Sequence, residues 1–211
     1  MNSTSILSIG VLEVGFGNLP SLKRILNQIG VKIFEISNSD SLIEADYLII
    51  PGVGSFSSAM NFIHEKGLVE PIRERCLTLN KSTLGICLGA QILLEEGFEG
   101  GQQPGIGVFE GRVVQSSECL EEKISHNGWD VVHVTKPILG FQQGDKFDAY
   151  FNHDFVFNNA NVNEVCALTN HGGLFPVLLK KNKTYAMQFH PEKSQSSGLR
   201  LIMEFLGIKD V

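Results

Sequence analysis

The segment Thr83-Leu84-Gly85-Ile86-Cys87-Leu88-Gly89-Ala90-Gln91 restricts the fold of this chain more than any other. Residues 83–86 form a short apolar run that predicts a strand, and residues 88–96 carry a helical pattern. The strand therefore turns into the helix at a single cysteine flanked by Gly85 and Gly89. A corner that tight needs glycine wherever a Cβ would strike a neighbouring element. The pattern G-x-C-x-G is the cysteine form of a nucleophile elbow. It places Cys87 at a helix N-terminus, where the dipole and free N–H groups favour a thiolate. The Leu88 N–H, one residue on, is placed to donate to an oxyanion. A buried cysteine beside a glycine-lined turn has the same local sequence.

The rest of the first half fits that junction. Residues 6–14 predict a strand, and Asn18 caps a helix with Leu22, Ile25, Leu26 and Ile29 on one face. Strands follow at residues 31–36 and 47–50, the latter broken by Pro51-Gly52-Val53-Gly54, with helical patterns at 61–64 and 71–79. Strands separated by helices imply a parallel sheet covered on both faces. In the second half, residues 106–115, 129–134, 149–157, 165–169, 177–180 and 184–189 read as successive strands. A helix over residues 198–206 closes the chain. The expected fold is α/β, an open, mostly parallel sheet with flanking helices and an antiparallel strand extension, in one domain over residues 1–211.

Composition excludes several classes. Hydrophobic residues make up 43% and charged residues 19% of the chain, so a core forms without disulfides or metals. Net charge is −6 with no Lys/Arg run, which argues against nucleic-acid binding. Of Cys76, Cys87, Cys119 and Cys166, none forms a C-x-x-C pair, so neither a zinc site nor a thioredoxin-type redox pair is expected. No apolar run is long enough to span a membrane, and residues 6–14 lack the basic flank of a signal peptide. A cytoplasmic enzyme is expected.

A thiol nucleophile needs a base nearby in space. His190 ends the run Tyr185-Ala186-Met187-Gln188-Phe189, and Pro191 stops the strand there, at the edge where active sites of open sheets form. Across that bend Glu192 can accept the imidazole Nδ1–H. A surface histidine beside a solvated Glu192-Lys193 pair is the plain alternative. His64, His126, His133 and His171 read as surface or polar contacts. The turn Pro51-Gly52-Val53-Gly54 lacks the Lys-Ser/Thr ending of a phosphate loop, but can supply the Val53 N–H as a second oxyanion donor.

Together the elbow 85–91, the turn 51–54 and the stretch Gln188-Phe189-His190-Pro191-Glu192 resemble class I glutamine amidotransferases. The finer resemblance is to the glutaminase subunit of imidazole glycerol phosphate synthase. Gly17-Asn18-Leu19, Gly128-Trp129, Tyr150-Phe151-Asn152-His153 and Lys193-Ser194-Gln195 fall in its order. The resemblance implies a triad of Cys87, His190 and Glu192, an oxyanion hole from Val53 and Leu88, and L-glutamine bound at Gly52, Gln91 and Glu99. It implies no cofactor. It also implies a heterodimer with a (β/α)8-barrel synthase that receives the ammonia, contacted at Asn18, Trp129 and Lys193.

Departures from that subunit's pattern lie at residues 13–15, at 125–130, and at Asp154 and Phe155 beside the expected glutamine site. Two other readings therefore stand beside the first. One is a paralogous amidotransferase that supplies ammonia to a surface-polysaccharide sugar. The other is a binding subunit that has lost catalysis.

Overall fold

The computed structural model describes residues 7–15, 19–118, 120 and 125–208. Asn18 and Cys119 lie outside them. The first half holds β1 (Ile9–Val11), β2 (Val14–Gly15), α1 (Leu19–Gln28), β3 (Ile33–Glu35), α2 (Ser39–Glu44), β4 (Tyr47–Val53), α3 (Phe56–Glu65), α4 (Val69–Leu77), β5 (Ser82–Cys87) and α5 (Leu88–Gln91). The second half holds β6 (Leu94–Gly97), β7 (Gln103–Pro104), β8 (Phe109–Gln115), β9 (His126–Val134), β10 (Lys146–His153), β11 (Phe155–Asn158), β12 (Val165–Asn170), β13 (Leu174–Lys181), β14 (Thr184–Met187) and α6 (Gln195–Leu206).

The large sheet runs in the order β10-β9-β12-β13-β14-β5-β4-β1-β3, with β2 also paired to β4. From β14 to β3 every pairing is parallel, and from β10 to β14 every pairing is antiparallel. The expected parallel sheet with an antiparallel extension is thus present. Successive residues of β4 enter different cores, Ile49 on one face and Leu48 and Ile50 on the other. A strand covered on both sides reads as a continuous apolar run for this reason. Leu22, Ile25 and Leu26 of α1 and Leu201, Ile202 and Phe205 of α6 cover the first face. Phe56, Met60 and Ile63 of α3 and Ile72 of α4 cover the second. No helix among the described residues is long and apolar enough to cross a membrane.

Three sequence expectations change. The strand at 47–50 does not break at Pro51 but continues to Val53, paired with β5. The helix expected over 88–96 is one turn long, and β6 follows it. The strand expected over 149–157 is two strands, β10 in the large sheet and β11 in a second sheet of order β11-β8-β6-β7. The chain crosses between the sheets at Asp154. The C-terminal ends of β14, β5 and β4 then lie side by side, which is where ligands bind in open α/β sheets.

Candidate active site

Cys87 ends β5 with φ 53° and ψ −111°. Residues other than glycine rarely take positive φ, and such strain gathers where a side chain must be aimed. Two glycines permit the corner. A Cβ on Gly85 would lie 2.6 Å from the Gly89 carbonyl oxygen, and one on Gly89 would land on the Ile50 carbonyl oxygen. The thiol points between Asn152 O and Gln188 Nε2, each 3.9 Å from Sγ. Sequence reasoning assigns Gln188 no role; its only signal is its place two residues before His190.

His190 follows β14, the parallel neighbour of β5, and is 1% exposed. Its Nδ1 lies 2.8 Å from Glu192 Oε1 in a buried pair. An ionised carboxylate only accepts, so Nδ1 carries the proton and Nε2 is left for the thiol. Pro191 starts a 3₁₀ turn, Pro191–Lys193, which brings Glu192 back to the ring. The histidine backbone is held firmly: its N–H donates to Tyr150 O at 2.8 Å, and its carbonyl accepts from Ser194 Oγ at 2.6 Å. Burial by itself lowers the His190 pKa, but hydrogen bonds to Cys87 and Glu192, and the charges of both, outweigh it and raise it to about 10. The site therefore favours an imidazolium beside the sulfur.

A cavity of about 210 Å³ opens at Cys87, lined by Val53, Gly54, Gln91, Glu99, Ser125, Asn152, His153, Asp154 and Phe155. Gly52 pairs with Cys87 across the strand ladder, so Val53 stands one residue beyond the level of the nucleophile. Gly52 itself is buried outside the cavity lining. Leu88 opens α5, and the first N–H groups of a helix have no intrahelical acceptor. Gln91 Nε2 donates to Phe155 O and to Gln188 Oε1, both at 3.2 Å, which occupies its two donors and leaves Oε1 as an acceptor. Glu99 Oε2 accepts from Phe56 N at 2.8 Å. Burial raises the Glu99 pKa, the Phe56 N–H opposes the rise, and the charge of Asp154 adds to it. Asp154 is thus a second carboxylate facing the cavity.

A model of the family "Glutamine amidotransferase class-I" matches residues 11–207. The chain belongs to that family. This amidotransferase is 41% identical over 199 residues to imidazole glycerol phosphate synthase subunit HisH 1 of Campylobacter jejuni (strain RM1221), spanning 94% of this chain and 98% of that one. It is 38% identical to the HisH subunit of Rhodopirellula baltica, over 93% of this chain and 96% of that one. A crystal structure of a glutamine amidotransferase matches with a TM-score of 0.73 at 26% identity, covering 95% of this chain and 99% of that one. The PurLQS structure from Thermotoga maritima shares the fold, with a TM-score of 0.73 at 16% identity.

Elsewhere on the amidotransferase surface, Trp129 is 49% exposed and its ring lies 6.0 Å from that of Tyr150. Lys193 Nζ sits 5.1 Å over the Tyr150 ring. Trp129 and Lys193 thus share one face, and Asn18 falls outside the described residues.

His126, read from sequence as a surface or polar contact, is instead 2% exposed. Burial and then the charge of His171 lower its pKa to about 4, against an opposing pull from Asp130. The His153 pKa is lowered to about 3 by burial, then by His126, with the Phe155 carbonyl opposing and the charges of His190 and His171 lowering it slightly further. Its Nδ1 lies 2.8 Å from Phe155 O, which only accepts, so this ring is the neutral Nδ1–H tautomer. Both rings are neutral when folded and protonate near pH 6.5 when unfolded, so the unfolded amidotransferase binds more protons as pH falls. Stability therefore decreases from pH 6.5 downward, toward pH 4 and 3 for the two rings. Urea unfolding at pH 7 and pH 5 tests this, with an expected loss on the order of 2 kcal/mol per ring. Equal stability at both pH values would show the rings to be solvated.

Proposed function

We propose that the chain hydrolyses L-glutamine to glutamate and passes the ammonia to a (β/α)8-barrel synthase partner that forms imidazole glycerol phosphate. The observation that carries the chemistry is Cys87 on its strained elbow beside the buried His190–Glu192 pair, opening into a cavity that holds two carboxylates. The pathway reading is supported by the near full-length likeness to HisH subunits.

In this reading the Cys87 sulfur attacks the carboxamide carbon of glutamine. The oxyanion is held by the Val53 and Leu88 N–H groups. His190 gives a proton to the leaving nitrogen and ammonia departs, leaving a thioester on Cys87. The neutral imidazole then takes a proton from water, the hydroxide attacks the thioester, and glutamate leaves as the thiol is restored. Glu192 fixes the Nδ1–H tautomer throughout and stabilises the imidazolium. Glu99 and Asp154 recognise the α-ammonium of the substrate, Gln91 offers Oε1 to a donor, and Gly52 supports the turn below. Trp129 and Lys193 lie on the face that meets the synthase, and Asn18 is the third contact that the resemblance implies.

Glu99→Gln keeps an acceptor for the Phe56 N–H and removes only the charge. It raises the glutamine KM about tenfold, the loss of roughly 1.5 kcal/mol of charge-assisted binding, with kcat within about twofold. Steady-state kinetics would detect a fall confined to kcat, which would place Glu99 in the chemistry instead. The pathway is tested by supplying the gene to a histidine auxotroph lacking its own glutaminase subunit. Growth supports the proposal. No growth, with glutaminase activity intact in the purified chain, moves the acceptor to another substrate such as a surface sugar.

A further inference from the structure

Three metal-ligand side chains meet one ring beyond the cavity wall. His126 opens β9 and pairs with His153 of β10. Its ring lies flat between Phe151, at 4.0 Å, and His171, at 4.1 Å, and its edge meets His153 at 5.0 Å. Among the described residues neither ring nitrogen of His126 makes a hydrogen bond. Its Nε2 stands 3.4 Å from Asp130 Oδ2, beyond the usual N–H···O range. Buried polar atoms are nearly always satisfied, and an ion is one of the standard reasons for an exception.

The surroundings fit a cation. Asp130 Oδ1 accepts from Val131 N at 2.7 Å, which aims Oδ2 at the two rings. His171 Nδ1 hydrogen-bonds that same oxygen at 3.1 Å, a contact that a bound cation would replace, and the three ligand atoms all lie within 4.8 Å of one another. Around tetrahedral zinc, ligand atoms are about 3.3 Å apart, given metal–ligand distances of roughly 2.0 Å. Two edges of that triangle, at 3.4 and 3.1 Å, already match. The third closes when the His171 ring turns out of its parallel stack to aim Nδ1 inward. That side chain is 39% exposed and is followed by Gly172 and Gly173, both at positive φ. Burial keeps His126 neutral at pH 7, the form that binds metal. Two imidazoles with one carboxylate suit zinc-type ions rather than magnesium or calcium, which prefer oxygen.

We propose that His126 Nε2, Asp130 Oδ2 and His171 Nδ1 form a site for one divalent transition-metal cation of the zinc type, with water as the fourth ligand. An ion there ties the first residue of β9 to the 171–173 turn, beside a wall of the glutamine cavity.

The test uses Co²⁺ as the probe on the chelator-treated full chain carrying Cys87→Ala, which removes the catalytic thiol as a competing ligand. One equivalent is expected to bind with a Kd of about 10 μM or tighter and to give the visible bands of tetrahedral cobalt. Adding His171→Ala or Asp130→Asn, both at part-exposed positions, weakens binding at least about tenfold, with far-UV circular dichroism confirming the fold. Zn²⁺ raises the melting temperature of the Cys87→Ala chain and not of the His171→Ala double variant. Absence of stoichiometric binding in the Cys87→Ala chain overturns the proposal, because the ion would then sit on the thiol or nowhere. Affinity unchanged by His171→Ala also overturns it, by removing the proposed ligand set.

Discussion

Cys87→Ala lowers glutamine hydrolysis by about 10⁴-fold or more while leaving the fold in place. Alanine keeps the Cβ that the elbow at φ 53° already accommodates, so the backbone corner is unchanged. What disappears is Sγ, with its two long contacts at 3.9 Å, to Asn152 O and Gln188 Nε2, and its interaction with His190, which serves turnover rather than folding. The melting temperature therefore moves by a few degrees at most, and the effect is confined to turnover. Groups that act as a unit fail as a unit, so Cys87→Ala with His190→Ala is no slower than Cys87→Ala alone. Glutaminase assays with and without a barrel synthase, together with circular dichroism, give both readings. Residual activity within tenfold of the parent chain would remove Cys87 from the mechanism.

Gly89→Ala has the largest expected effect on folding. The new Cβ would meet the Ile50 carbonyl oxygen, a backbone atom in the middle of β4 with no rotamer by which to yield. Relief requires α5 to move off the sheet, which also moves Cys87. A cost of about 3 kcal/mol or more follows. For a chain of this size that is a fall in melting temperature of roughly 6–12 °C, or failure to accumulate as soluble protein. Gly30→Ala is the control. No heavy atom lies within 4 Å of its Cβ, and only its φ of 72° opposes the change, so its cost stays near 1 kcal/mol. Equal losses in the two variants would show that backbone conformation, not close approach, makes Gly89 necessary.

The parts of the site that sequence made legible are those whose geometry is local. The elbow is five residues long, and the His190–Glu192 pair is two residues apart across a proline, so spacing alone carries their meaning. The strands were less legible. Ile92, Leu93 and Leu94 are consecutive, apolar and fully buried, and such a run does not distinguish helix from strand. The decision is made by residues 106–109, whose N–H groups take the carbonyls of Ile92, Leu93 and Leu94 and draw the chain extended. The break at Asp154 was hidden for the same reason. Both sides of it alternate like strand, and only the distant pairing of β11 with β8 separates them. His126 read as a polar contact because nothing in its neighbourhood in sequence announces Phe151 of β10 and His171 of the turn after β12, which enclose it.

Strand β10 has two neighbourhoods. At Tyr150 it lies beneath Lys193 and beside Trp129, on the face assigned to the synthase, and the Tyr150 carbonyl accepts from the His190 N–H. At Asn152 its carbonyl meets the Cys87 thiol, and at Asp154 the chain enters the cavity wall. Four residues of extended backbone, about 13 Å, separate the two ends. No loop lies between them to absorb a displacement. In the proposed reading, a synthase that docks here and shifts Tyr150 acts on a stiff pushrod, whose far end is the wall of the Cys87 cavity and whose near end is hydrogen-bonded to the His190 backbone.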